Sequence, residues 1–367
     1  MDRNVTMKNI IALAIVSSLA CRAYSYSTPG HQMVGAIADE RLAGSPTAAK
    51  ISNILGGVSL AQAALLPDKI KNWDNNPPDA ADLAKLTPNK KLAKQFLAFW
   101  KANPKTQNEN NPVPYHRWFH YTDVPALDDE KYGDGQRGRS QFDIVHMIPF
   151  CIRVLQGLES EQNPRRITKP IALSLLAHYV GDIHQPLHVG AEYFDSSGHP
   201  EDPDKHNGEG LGDNGGNTLT LVLNESEGNG GSETTANFHG FWDDQAVSAA
   251  FAAVRRELNP DHVNTVKTKD IVHHFASTEP ANWKLSSQID LKDYAQNWAD
   301  EIMPIARQAH ERVEFSNMHG HTTANGSAIE KKMPDGASYR EWTGSIVKVE
   351  LHKAGWRLAN LLDQVLR

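Results

Sequence analysis

The residues best suited to chemistry in this chain are histidines and aspartates set four apart. His178 and Asp182 open the stretch 178–188, HYVGDIHQPLH. On a helix that spacing puts both side chains on one face. Pro186 then turns the chain, and His188 can swing back toward the same place. The pattern recurs in 237–243, NFHGFWD, where His239 and Asp243 are again four apart. Imidazole and carboxylate are ligands that Zn²⁺ takes at catalytic sites. Two such pairs on separate helices can converge in a bundle core. One pair alone is most often a surface contact. Two pairs together with His188 put a metal centre level with that plainer reading.

The elements that must position these residues read as mostly helical. Apolar residues recur at helical spacing over 33–43, 61–73, 90–101, 144–158, 167–183, 242–258, 291–314 and 339–366. Gly44-Ser45-Pro46 stops the first of these. Segments 75–78, 103–114 and 195–217 are loops by their Asn, Gly, Asp and Pro content. Segment 218–223 is the one good strand candidate, predicted as half of a small hairpin ending near 229–231. No linker divides the chain. The expected fold class is all-α, a single mostly helical domain with a small β-hairpin.

Composition fits that picture. The chain has 367 residues, enough for one large domain with its own core, with 40% hydrophobic and 22% charged residues. No repeat or heptad run is present. Residues 1–25 read as a signal peptide: Arg3 and Lys8, then an apolar run over 10–20 too short to span a bilayer, then small residues at Ala23 and Ser25. The competing readings are a buried N-terminal helix and a lipoprotein anchored at Cys21, for which Ser18-Leu19-Ala20 is a poor lipobox. Cleavage would leave Tyr26 first and predicts a secreted or periplasmic protein. Removing Arg3, Lys8, Arg22 and Asp2 leaves 34 basic and 43 acidic residues, a formal charge of −9. A protein that grips long duplex shows a basic stripe, and none is visible. Only Cys151 would remain, so no intrachain disulfide can form, and metal becomes a candidate staple.

Over nearly all of the expected mature chain the sequence resembles the S-one/P-one nucleases. The resemblance is carried, in order, by Gly30-His31, Pro67-Asp68-Lys69-Ile70-Lys71, Phe119-His120-Tyr121-Thr122-Asp123, the two His–Asp pairs, Gly215-Gly216-Asn217, Asn297-Trp298-Ala299 and Ala354-Gly355-Trp356-Arg357-Leu358-Ala359. It implies a catalytic domain over 26–367, with the helical fold shared with zinc phospholipase C and three zinc ions. Asp68, His120, His178 and Asp182 would hold the first. His188, His239 and Asp243 would hold the second. The third would take His31, Asp182 and the free amine and carbonyl of Tyr26, so Asp182 would bridge two ions. Tyr26 stands five positions before His31, the spacing the family uses. Asp68 would orient the attacking water, and Lys71 would stabilise the transition state. Tyr121 and Asp123 resemble the base-binding pair, and stacking on Tyr121 would need an unstacked base.

The resemblance therefore implies a zinc-dependent endonuclease that cuts single-stranded DNA and RNA to 5′-phosphates and acts as a 3′-nucleotidase. Nucleic acids would be substrates and not stable partners, and no membrane would be involved. The chain departs from the family in several ways. Tyr26 stands where Trp is usual. Insertions lie between Asp68 and His120 and between His188 and His239. The disulfides of eukaryotic members are absent, which fits a bacterial-type member. Two alternatives remain at this stage. One is a zinc phospholipase C, whose last ligand is Glu where this chain has Asp243. The other is a non-catalytic zinc-binding periplasmic protein. His116 competes with His120 as a ligand. His184 reads as structural, and His199 and His206 as solvated.

Overall fold

A computed structural model describes residue 26 and residues 28–106, 115–205, 209–224 and 233–367. The expected signal peptide, His206 and the hairpin end near 229–231 lie outside the described residues. The chain builds helices α1 (Thr28–Leu42), α2 (Pro46–Leu55), α3 (Leu60–Ala63), α4 (Leu66–Lys69), α5 (Ala80–Leu86), α6 (Lys90–Ala102), α7 (Ile144–Gln156), α8 (Lys169–Asp182), α9 (Phe238–Gly240), α10 (Ala246–Leu258), α11 (Thr268–Ser277), α12 (Tyr294–Glu311) and α13 (Tyr339–Val365). Among the described residues no single helix is long and apolar enough to cross a membrane.

Helix α8 is the axis. Every residue from Ile171 to Asp182 is buried. A helix apolar all round must be enclosed by others. Here α1, α2, α3, α6, α7 and α13 all pack against it. The enclosure has a consequence for the polar end of α8: His178 and Asp182 are carried into the interior by the apolar residues that precede them.

The β structure is larger than the expected hairpin. Strand β1 (Val124–Pro125) runs parallel to β2 (Gly190–Ala191), and β3 (Tyr193–Phe194) pairs antiparallel with β4 (Leu211–Gly212). Strands β5 (Leu219–Asn224), β6 (Glu233–Asn237), β7 (Val313–Gly320) and β8 (Ala324–Glu330) form one sheet in the order β6-β5-β8-β7. β5 and β6 are the anticipated hairpin, with Leu221 opposite Ala236. β8 then adds parallel to β5, with Leu221 opposite Ala328.

The helix expected over 291–314 stops at Glu311, and the chain turns into β7. Val313 is buried and Phe315 packs edge-on to Phe194 at 4.9 Å, so the two apolar residues alternate as strand residues do. The segment expected as one helix over 61–73 is α3, α4 and a 3₁₀ turn (Ile70–Asp74), with Pro67 in the first turn of α4, where its missing N–H costs least. Three helices, α2, α5 and α11, form where none was expected. Within the expected loop 195–217, Leu211 and Gly212 form β4.

One buried pair ties the sheet region to α12. His310 Nε2 lies 3.0 Å from Asp213 Oδ2, and His310 Nδ1 lies 2.9 Å from the Ala306 carbonyl. Burial pulls the imidazole down, but the bond to Asp213 and its charge outweigh that and push it up to about 9. The raised value stabilises the fold fully below the ordinary imidazole value near 6.5, and that contribution is lost as pH rises through about 9. Its upper bound is roughly 3 kcal/mol. Denaturant titrations at pH 6.5 and 9 should show stability falling by up to that amount, and His310→Gln should flatten the profile. An equal slope in parent and variant would show that the pair is not ionised.

Candidate metal centre and adjoining pocket

Four segments deliver side chains to the end of α8. Helix α1 brings His31, whose ring stacks on His178 at 3.7 Å and 18°. Helix α4 brings Asp68, and the 3₁₀ turn after it brings Lys71. The 3₁₀ turn His116–His120 ends on His120. Asp182 faces all three imidazoles: Oδ1 is 3.2 Å from His31 Nε2, and Oδ2 is 3.0 Å from His120 Nδ1 and 3.1 Å from His178 Nε2. Asp68 Oδ1 lies 3.5 Å from His178 Nε2 and 2.7 Å from Lys71 Nζ. Next to these, His239 Nε2 is 3.2 Å from His188 Nε2 and 3.3 Å from Asp243 Oδ2.

The imidazoles are oriented from behind. His178, His188 and His239 each place Nδ1 on a backbone carbonyl, that of Ala64 at 2.6 Å, His120 at 2.9 Å and Gly215 at 2.7 Å. With Nδ1–H donated there, Nε2 keeps its lone pair and points it inward. Gly215 can present its carbonyl because it sits at φ 59°, where a Cβ would lie 2.2 Å from the Leu187 oxygen. Gly181 is needed for a different reason. A Cβ there would come within 2.8 Å of His31 Nδ1.

Burial sets the protonation states. It pushes His31 down to about 4, helped by the neighbouring His178, and His239 down to about 3, helped by His188. His120 and His188 are also held low by burial. At His178 burial is overcome by the carboxylates of Asp182 and Asp68, and its value rises. Asp68 resists burial through Lys71 and the imidazoles around it and stays well below the usual carboxylate range. Asp243 goes the other way. Burial, with Asp182 and Asp68 nearby, pushes it well above that range.

These residues fit a metal. His178 Nε2 and His120 Nδ1 face each other at 3.0 Å, and His188 and His239 do so at 3.2 Å. Two acceptor nitrogens repel at that range unless a proton or cation lies between them. Tetrahedral zinc with Zn–N near 2.0–2.1 Å would set its nitrogens about 3.3 Å apart. Buried atoms without hydrogen-bond partners point the same way: both nitrogens of His31, Asp182 Oδ1 and Asp243 Oδ2. Three sets of ligand atoms gather here: His31, His178 and Asp182; Asp68, His120 and His178; His188, His239 and Asp243. Asp182 falls formally in the first set, but its second oxygen faces the other two imidazoles as a bridging carboxylate would. Tyr26 is fully buried, its ring 6.2 Å from that of His31 and its hydroxyl donated to the His184 carbonyl at 3.0 Å.

Tyr121, directly after His120, lines a pocket of about 320 Å³ with Asp123, Trp118, Arg137 and Tyr193. Of the remaining histidines, His116 turns away from the centre and bonds Asp74 at 2.9 Å. His184 sits between the Val180 carbonyl and Arg357, a structural role. His273 pairs with Glu40 at 2.7 Å on the surface. Asp74 is the residue sequence reasoning missed. It accepts from Trp100 Nε1 (2.9 Å), Tyr115 OH (2.6 Å) and Arg117 Nε (2.7 Å) as well as meeting His116. Arg117 also donates to the Lys71 carbonyl at 2.6 Å. Asp74 thus clamps the turn that carries Lys71 to the turn that carries His120. Its signal in sequence was slight, since these partners lie 26 to 43 positions away.

The family model described as S1/P1 Nuclease matches residues 26–367. Endonuclease 1 of Arabidopsis thaliana is 25% identical over 370 aligned residues, covering 99% of this chain and 93% of that protein. Endonuclease 3 of the same plant is 24% identical over 261 residues, 70% of this chain and 74% of its own length. With Endonuclease 5 the identity is 23% over 216 residues, and the chain spans only 58% of that protein.

The close approach at Gly181 can be tested directly. Gly181→Ala should displace His31, so the purified variant should carry one metal equivalent fewer than the parent by elemental analysis. A full complement bound at parental affinity would show that His31 holds no ion.

Proposed function

The chain belongs to the S1/P1 nuclease family, and from that premise we propose that it is a zinc-dependent hydrolase of phosphodiesters in single-stranded DNA and RNA that releases 5′-phosphates and acts on 3′-nucleotides. The observation that carries the reading is the shared Asp182, which ties His31, His120 and His178 into one cluster beside a pocket lined by an aromatic and a carboxylate. The nitrogen and oxygen donor set suits zinc. Clustered zinc ions supply, when bound, an acidic water and positive charge at the attacking and leaving oxygens.

The protein's own residues do the rest. Asp68 stays ionised in a buried place, so it can accept a hydrogen bond from a water and hold that water in line. Lys71 spends one donor on Asp68 and can offer the others to non-bridging phosphoryl oxygens. Tyr121 offers a face to an unstacked base, and Asp123 can accept from a base N–H. A base inside a duplex is closed to both, which favours single strands.

The reading includes export and removal of 1–25, which frees the amine of Tyr26, a residue whose ring lies 6.2 Å from that of His31. An amine with one more residue ahead of it is an amide with no lone pair for metal. The family match begins at the same residue, which supports this start.

Two measurements check the function. Purified protein beginning at Tyr26 should cut RNA and single-stranded DNA much faster than duplex, and Lys71→Ala should lower kcat about 10²–10³-fold. Hydrolysis of phosphatidylcholine with none of nucleic acid would replace this reading by a phospholipase. Separately, one added residue before Tyr26 should lower metal content from three to two per chain and remove most activity. Undiminished metal and turnover in the extended form would remove Tyr26 from the site.

A further inference from the structure

We propose that the groove beside α7 is a second single-strand binding site, where Arg165 and Arg153 take backbone phosphate and the half-buried Phe142 takes the neighbouring base of a strand whose scissile bond lies at the metal centre. The inference rests on the nuclease reading above and adds a length preference to it.

The groove encloses about 520 Å³ and is lined by Phe142, Phe150, Arg153, Arg165, Lys292 and His146 among others. Phe142 lines this groove and also the pocket that holds Tyr121 and Asp123. The two spaces are therefore adjacent across a single ring, and a strand leaving the pocket past Phe142 enters the groove.

The cations in the groove are only loosely paired. Arg165 stands 4.9 Å from the Phe142 ring centre and 5.2 Å from that of Phe150. Its Nε is buried without a hydrogen-bond partner. Arg153 lies 5.5 Å from the Phe150 ring and reaches Glu159 only at 3.8 Å. Lys292 reaches Asp290 at 3.8 Å. Asp293 is the one carboxylate in the lining. In a chain whose formal charge is −7, three loosely held cations in one groove form a local exception.

The residue types select the ligand. A guanidinium 4.9 Å from the Phe142 ring centre keeps donors for an anion while the half-buried ring can take a base, and the buried Phe150 backs both arginines. Alternating cation and aromatic surface is how sequence-tolerant proteins hold single strands, with stacking on each base and a cation at each phosphate. An acidic peptide would use the cations and leave the rings idle.

The test is a length series of oligothymidylates, from the dinucleotide to about fifteen residues, with the zinc-loaded enzyme. KM of the parent should fall about tenfold across the series. Arg165→Gln and Arg153→Gln should each remove most of that gain while kcat, the dinucleotide KM and zinc content stay as in the parent. Arg165→Lys should restore part of it. The slope of log affinity against log salt for the long oligomer should shrink by about 0.7 for each phosphate that a variant no longer neutralises. A parent KM independent of length, or variants that keep the full gain, would overturn the site and leave the nuclease reading intact. Absence of any cleavage would overturn the nuclease reading. In that case fluorescence anisotropy of a labelled fifteen-residue oligomer decides the groove, with several-fold weaker binding by the variants supporting it and equal binding refuting it. Should Arg165→Gln fail to fold, Arg153→Gln and Lys292→Gln carry the same comparison.

Discussion

Three carboxylates, Asp68, Asp182 and Asp243, are brought together in the interior with five imidazoles, and most of the architecture follows from keeping them there. Among the described residues Lys71 is the lysine or arginine that forms an ion pair with the group, through Asp68. Like charges in a low-dielectric interior cannot all remain ionised, and the opposite displacements of Asp182 and Asp243 express that conflict. Bound cations resolve it in a way protons cannot, because one ion can satisfy several lone pairs at once. With no second cysteine left to pair with Cys151 after the expected cleavage, such ions would also join segments that are far apart in sequence. Folding and metal binding are then two aspects of one equilibrium.

The orientation of the cluster is set one layer further out. Carbonyls of Ala64, His120 and Gly215 each fix one imidazole, and each comes from a different segment. The His120 carbonyl holds His188 while the His120 ring faces Asp182, so the two halves of the centre are coupled through a single residue. Parallel pairing of β1 with β2 keeps the strand after Tyr121 and Asp123 beside the chain after His188. Asp74 and Arg117 hold Lys71 from outside. Three of the five imidazoles are thus held by backbone whose path is set by other elements.

How much of this was legible depends on the range of each signal. The pairs His178–Asp182 and His239–Asp243 are local, and helical spacing alone exposes them. His31, Asp68 and His120 reach the same centre from positions no periodicity connects, so only the resemblance to a family joined them beforehand. The long helices were legible because α7, α8 and α13 bury broad apolar faces. The four-stranded sheet was not, because β8 lies parallel to β5 a hundred residues earlier, and such pairing leaves no trace in either segment alone. The run into β7 misled for a related reason: Val313 and Phe315 suit the end of an apolar helix as well as one face of a strand. Asp74 was invisible because its meaning lies entirely in partners from other segments.

An acidic protein that acts on a polyanion needs its attraction to be local. At about 0.1 M salt, charges beyond roughly 10 Å are screened, so a bound strand responds to the groups it passes and not to the formal sum. On the proposed path those groups would be Lys71 beside Asp68, Arg137 at the pocket, and Arg165 and Arg153 past Phe142. Arg137 lies 5.5 Å from the Tyr193 ring, as Arg165 lies 4.9 Å from that of Phe142, so cation beside aromatic marks both the pocket and the groove. The acidic remainder of the surface then has a use of its own. Like-charge repulsion there would disfavour adhesion of nucleic acid elsewhere, so a strand would gain by lying along the proposed path.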